Sequence, residues 1–177
     1  WRSTHANGGG AIYEMASHAI DLIAYFFGAP DRVGGTSLSK VYSKNVEDIV
    51  SSSLFYESGL AGTLYVNWSD ASYRKPTNKF EIFGKSGKIQ VDQHGMKVFL
   101  AEASEAPGLK QGWNQIYITD VFSSVPFYVR GIEYTAQLFD FIASIREGKP
   151  VRCTFADATA NLRVMEQLFA DDAAQRA

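Results

Sequence analysis

The sequence predicts an α+β fold in which a mainly antiparallel, open-faced sheet has helices covering one face. From residue 31 to about 120 the chain is rich in Val, Ile, Tyr, Phe and Thr, and polar and apolar residues often alternate. The Ser-Gly links in YESGLAG and GKSGK are short, which is typical of connections between antiparallel strands. Helical spacing appears before and after this region.

Three helices and seven strands are predicted in chain order. The first helix covers residues 10–27 and stops at Gly28, with Pro30 just beyond. The predicted strands lie near 32–42, 46–57, 60–69, 78–84, 87–92, 95–101 and 114–119. Two further helices are predicted at 129–147 and 155–175.

Composition limits the classes of partner that the chain can bind. Its 177 residues are 46% apolar, enough for one ordinary domain or one large half of a two-domain enzyme. The formal net charge is −2 and no basic block appears, so we expect no nucleic-acid partner. No run of about 18 uncharged apolar residues exists, so no membrane span is expected. The single Cys153 fits a reducing, cytoplasmic location, and we expect it to be a small buried residue.

The glycines at residues 8–10 do not form a dinucleotide-binding fingerprint. They follow polar coil rather than a strand, and no repeating strand–helix–strand pattern surrounds them. We therefore expect no NAD(H) or NADP(H) site within this chain. The chain opens with WRSTHANGGG, without an initiator Met or a leading strand, and we expect it to be part of a longer protein.

One edge of the first helix is polar. At about 100° per residue, four polar side chains fall within a stripe roughly 60° wide: Glu14, His18, Asp21 and Tyr25. Apolar side chains fill the opposite side: Ile12, Met15, Ala19, Ile23, Phe26 and Phe27.

Three interpretations of this edge remain open. Glu14 and His18, four residues apart, are compatible with an ordinary solvated ion pair. They are also compatible with half of a metal site, although His5 and His94 have no evident helical relation to them, so no metal is expected. The third interpretation is acid/base chemistry, because histidine titrates near neutrality and a carboxylate one turn away can orient its ring.

The stretch GGGAIYEMASHAIDLIAYFFGAP resembles the segment that opens the C-terminal domain of the Gfo/Idh/MocA family of NAD(P)-dependent oxidoreductases. In that family, glycines, an acidic residue, a His four residues later and an Asp three beyond it recur. EIFGKSGKIQVD is similar to the family's glycine-turn strand pair, and FDFIASIREGKPVRCTFADA to its late helix and acidic helix start. Together these motifs cover nearly the whole chain in the family's order.

The resemblance implies that residues 1–177 form a single C-terminal domain for substrate binding and oligomerisation. The N-terminal Rossmann domain, absent from this chain, would hold most of the NAD or NADP. A hydride would pass between nicotinamide and a sugar or polyol, such as inositol, and this chain alone would be inactive. Alternating side chains at 63–68 place sizeable groups on both sheet faces, so we expect a homodimer or homotetramer through the open face.

By position, His18 matches the family's acid/base His, and Glu14 matches a place where many members have Asp. Asp21 matches the following acidic position, where both substrate contact and bracing of the helix against the sheet remain open. The resemblance and the local sequence give these candidate substrate-binding residues: Trp1, Arg2, Asp21, Arg74 and Lys75. A non-catalytic binding or assembly module of the same fold is the alternative function, and a sugar- or metal-dependent hydrolase is the more remote one.

Overall fold

The computed structural model describes residues 2–72, 77–121, 125, 127 and 131–177, with side chains from 134 onward in the last range. It divides into two compact units, Trp1–Ser72 with Arg152–Ala177, and Tyr73–Val151. Every strand pairing among the described residues is antiparallel. The predicted α+β class is confirmed.

The seven predicted strands and three predicted helices are all present, with ends shifted by a few residues. The strands are β1 (Arg32–Ser39), β2 (Ile49–Phe55), β3 (Ala61–Asn67), β4 (Phe80–Gly84), β5 (Gly87–Asp92), β6 (Gly95–Leu100) and β7 (Gly112–Tyr117). The α-helices are α1 (Ser17–Phe27), α2 (Ile118–Val121), α3 (Gly131–Glu147) and α4 (Phe155–Arg176). A 3-10 turn (His5–Asn7) and a π-helical turn (Ile12–Ala16) precede α1.

In the first unit, helices cover one face of a three-stranded sheet in the order β1-β2-β3. The period-two alternation of the strands turns one set of apolar side chains inward: Val33, Leu38, Val50, Leu54, Leu64 and Val66. Ile20 of α1 and Leu168 of α4 belong to the same core. On the other face of this sheet, Tyr65 is 66% exposed. Sizeable side chains therefore lie on both faces of β3, as expected from the alternation at residues 63–68.

The C-terminal turns of α4 contact the free edge of β1. The Thr36 amide donates to the Asp171 carboxylate at 2.7 Å, and the Leu38 amide donates to Asp172 at 2.9 Å. Arg176 pairs with Asp172 and donates to the Leu38 carbonyl. Among the described residues β1 pairs with β2 alone, so side chains of α4 satisfy backbone groups on its other edge.

The second unit contains a four-stranded sheet in the order β4-β5-β6-β7. The strands predicted as one sheet thus pair in two sets, divided between β3 and β4. Antiparallel pairing follows most readily from short links, whereas some 12 residues separate these two strands. One face of the four-stranded sheet exposes Phe83, Trp113 and Tyr117.

Two further features concern exposed residues. The helix α3 carries an exposed apolar face: Leu138, Phe141, Ile142 and Ile145. Cys153 is exposed, so the expectation that it is buried is wrong. It lies in the irregular segment before α4, where no element packs over it in the described chain.

No helix within the described ranges is long and apolar enough to cross a membrane.

Candidate functional site

The predicted first helix begins with a π-helical turn rather than a regular α-helix. The Ser17 amide donates to the Ile12 carbonyl, five residues earlier, and the Ser17 hydroxyl donates to the Tyr13 carbonyl at 2.7 Å. The spacing of 100° per residue therefore does not hold across residues 12–16, and π turns occur frequently at functional sites.

The polar edge of this helical segment lies away from the core. Ile12 and Ile20 are at most 1% exposed and pack beneath α4 and the sheet. His18 and Asp21 are exposed, and Glu14 is partly buried, with 18% of its side chain accessible. The His18 imidazole is therefore accessible to solvent in the described structure. The predicted apolar side is only partly correct, because Phe26 is 59% exposed.

Glu14 forms an ion pair with Arg2. The guanidinium Nε lies 3.3 Å from the Glu14 carboxylate, and 66% of the Arg2 side chain is exposed. The Gly10 amide donates to the Arg2 carbonyl at 3.1 Å, so the preceding loop folds back over the helix start. The structure therefore brings together two candidate residues, Arg2 and Glu14, one turn before His18.

Asp21 is hydrogen-bonded to the last helix of the chain. The Asn161 side-chain amide of α4 donates to the Asp21 carboxylate at 2.7 Å. Asn161 is only 7% exposed, whereas Asp21 is exposed. This contact braces α1 against α4 rather than against the sheet, and it leaves part of the carboxylate open to solvent.

A buried carboxylate that sequence reasoning missed lies beneath the helix start. Glu47, just before β2, has 2% of its side chain exposed, and its Oε1 accepts from the Ile12 amide at 2.9 Å. Its backbone carbonyl accepts from the Ala11 amide at 3.0 Å. His5 Nε2 lies 3.2 Å from the other carboxylate oxygen. The only sequence signal was an acidic pair at a strand start.

Gly10 makes this approach possible. A Cβ at Gly10 would lie 2.3 Å from Glu47 Oε1, and the residue has a φ of +114°, a conformation that L side chains rarely adopt. Gly10 therefore has a steric role that its position in the sequence did not specify.

The next residue, Asp48, holds the loop between β1 and β2. It is fully buried and accepts from the backbone amides of Val41, Tyr42 and Ser43 at 2.6–2.9 Å. Burial raises the pKa of this carboxyl, but the hydrogen bonds outweigh it, so the pKa lies below its ordinary value. Asp48 is a structural anion.

Three candidate residues, Trp1, Arg74 and Lys75, lie outside the described residues. Among the residues that the structure does describe, no three His, Cys, Asp or Glu side chains are grouped to hold a metal ion. The candidate site in view thus consists of Arg2, Glu14, His18 and Asp21.

The fold and this helix edge define an antiparallel α+β domain that presents ionisable side chains from its first helix. The sequence model described as the GFO/IDH/MocA C-terminal domain matches residues 1–90. The chain belongs to this family. A comparison with curated proteins gives no match.

Solved structures share the fold. Levoglucosan dehydrogenase in complex with NADH and levoglucosan superposes with a TM-score of 0.78 at 22% identity, over 98% of this chain and 51% of that one. Aldose-aldose oxidoreductase from Caulobacter crescentus, complexed with glycerol, gives 0.74 at 18% identity, over 99% and 49%. The WlbA dehydrogenase from Bordetella pertussis, with NADH and UDP-GlcNAcA, gives 0.69 at 16% identity, over 99% and 46%. The chain spans about half the length of these proteins.

Proposed function

We propose that this chain is the substrate-binding and oligomerisation domain of an NAD(P)-dependent oxidoreductase that acts on a sugar or polyol. Its family supports this proposal, as do similar structures of dehydrogenases in complex with NADH and a sugar or sugar nucleotide. Because those proteins are about twice as long, we propose that a separate Rossmann domain binds most of the NAD or NADP. We place the enzyme in the cytoplasm.

The exposed His18 on the polar helix edge carries the proposal. In the oxidation direction, the hydroxyl oxygen would give its proton to the imidazole while the carbon gives a hydride to nicotinamide. The C–H and O–H bonds break, a C=O bond forms, and nicotinamide takes both electrons. An accessible imidazole suits this step because a histidine ring nitrogen can accept the proton and later return it.

Glu14 supports the same step through its charge. A carboxylate one turn from His18 favours the imidazolium that forms when the proton is taken. Arg2 holds Glu14 at 3.3 Å and is largely exposed, so it also serves as a candidate contact for substrate oxygens. We assign the remaining substrate contacts to Asp21, together with the sequence candidates Trp1, Arg74 and Lys75.

The test is steady-state kinetics of His18→Ala in the complete enzyme. We expect kcat to fall by roughly 10²-fold or more, as for loss of a general acid/base, with the melting temperature unchanged. His94→Ala is the matched control, because His94 is also exposed but lies in the turn between β5 and β6. Near-normal turnover of His18→Ala would favour the non-catalytic binding or assembly module.

Self-association through an open sheet face is the second part of the proposal. Tyr65 is 66% exposed on the uncovered face of β1-β2-β3, with Thr63 and Ser51 beside it. Uncovered faces that carry large side chains are typical subunit interfaces. Light scattering should give a dimer or tetramer, and Tyr65→Glu should shift it toward monomer. A strict monomer at micromolar and higher concentration would contradict this part.

A further inference from the structure

We propose that Glu47 is a positioning residue for His18, acting through the start of the helix that carries it. This inference rests on the proposed acid/base role of His18. Glu47 does not contact that histidine in the geometry above. It acts on the backbone at Ile12, six residues before His18 in the sequence.

The contacts of Glu47 fix the helix start from two directions. The first amides of a helix have no partner within the helix and need acceptors from elsewhere. Glu47 supplies acceptors for two of these amides. Its backbone carbonyl accepts from the Ala11 amide at 3.0 Å, and its Oε1 accepts from the Ile12 amide at 2.9 Å. A capping residue usually comes from the helix's own sequence, whereas this one comes from 35 residues away. The helix start is thereby tied to the sheet.

The buried position of the Glu47 carboxylate requires partners for its charge. A buried carboxylate is costly unless it is paired and hydrogen-bonded, and a negative charge is favourable at a helix N-terminus. His5 Nε2 lies 3.2 Å from the second oxygen, Oε2, within ion-pair distance. Oε2 accepts no hydrogen bond from the described residues. The ring of His5 also packs edge-on against Phe169 of α4, with centroids 5.7 Å apart. The loop, α4 and the strand region therefore meet at this carboxylate.

The π turn lies between the Ile12 amide, which Glu47 binds, and the proposed acid/base residue His18. Residues 12–16 form the wider turn, and Ile12, whose amide Glu47 binds, is its first residue. A shift at Ile12 would rotate the whole polar edge, because the following helix moves as a rigid element. Displacements of about 1 Å can cost roughly 10²-fold in turnover.

Two measurements on Glu47→Gln in the complete enzyme test the proposal. Gln keeps the shape of Glu, but its neutral oxygen accepts from the Ile12 amide more weakly than a carboxylate does, and the negative charge at the helix start is lost. We expect kcat to fall by about tenfold at an unchanged KM for the nicotinamide cofactor, a loss below the full effect of a 1 Å displacement. We also expect amide hydrogen exchange to rise at residues 11–14 and to stay unchanged in β2. If Glu47→Gln does not fold, Glu47→Asp replaces it, since the shorter carboxylate cannot reach the Ile12 amide.

Asp48→Asn is the matched control, because it alters the adjacent buried carboxylate, which binds the loop at 41–43 instead of the helix. It should lower stability without changing kcat or the exchange at 11–14. In the double variant His18→Ala/Glu47→Gln, kcat should equal that of His18→Ala alone, since residues that act through one another are not additive.

Three results would overturn the proposal: unchanged kcat or exchange in Glu47→Gln, the same kcat loss in Asp48→Asn, or full additivity in the double variant. Each of these can occur while His18→Ala still loses turnover, and the proposed function then stands alone. If His18→Ala keeps normal turnover, the acid/base assignment and this positioning role both fail.

Discussion

Asn161 on α4 donates a 2.7 Å hydrogen bond to Asp21 on α1, and this bond joins the last helix of the chain to the helix that carries His18. The donor is 7% exposed. Asp21→Ala should lower the free energy of unfolding by about 1–3 kcal/mol, because a buried amide then loses its charged acceptor. Asp21→Asn, which retains an acceptor oxygen, should cost less. Urea denaturation measures both, and equal stability of Asp21→Ala and wild type would contradict the bracing role.

Glu14→Gln should lower kcat in the same direction as His18→Ala but by less. It retains the side-chain shape and loses only the charge that favours the imidazolium. Steady-state kinetics in the complete enzyme checks this, with Glu105→Gln as control, since Glu105 is exposed in the segment between β6 and β7. A loss of turnover in Glu14→Gln as large as that in His18→Ala would argue against a supporting role.

Gly10→Ala should destabilise the protein more than Gly8→Ala. Both glycines have positive φ, +114° at Gly10 and +75° at Gly8, but only Gly10 faces a close neighbour. Gly8→Ala should cost about 1 kcal/mol for the left-handed backbone alone. Gly10→Ala should cost about 2 kcal/mol more, because Glu47 must move away from the Ile12 amide. Equal melting temperatures of the two variants would contradict the steric role.

The free energy of unfolding should decrease as the pH falls below about 3.9, the ordinary pKa of an Asp carboxyl. The pKa of Asp48 is lowered, since its three backbone hydrogen bonds outweigh the effect of burial, and hydrogen bonding by Thr36 lowers the pKa of Asp171. A carboxyl with a depressed folded pKa stabilises fully above its unfolded value, about 3.9 for Asp. That stabilisation disappears as the pH falls through the folded pKa.

Urea unfolding at a series of pH values checks this prediction. Asp48→Asn should be less stable than wild type at pH 7, and the difference should shrink below about pH 4, where the wild-type unfolded carboxyl is itself protonated. A difference that stays constant from pH 7 to pH 2 would show that the charge of Asp48 contributes nothing.

Local patterns predicted the elements well because each pattern depends on the side chains within it. The alternation of Leu64 and Val66 with Thr63 and Tyr65 predicted a strand with sizeable side chains on both faces, and the face that the helices cover is set by contacts outside the strand. The division into two sheets was not predictable in this way. It depends on which strands pair across the long segment between β3 and β4, and no local period encodes that choice.

The candidate site was predicted in part for the same reason. Glu14, His18 and Asp21 were recognised from their spacing on one helix. The π turn could not be predicted, because its sequence does not differ from that of an ordinary apolar helix. The roles of Glu47 and His5 could not be predicted, because their contacts join segments that are distant in the chain.

The carboxylates of Asp171 and Asp172 have a consequence for how the chain behaves among its copies. An exposed strand edge is a template to which a strand of another molecule can add, with aggregation as the outcome. By binding the outward amides of Thr36 and Leu38, the last turns of α4 leave that edge with fewer free donors. Asp171 and Asp172 therefore both hold α4 against β1 and protect this strand edge from the addition of strands from other molecules. A chain shortened to residue 170 would lose this protection.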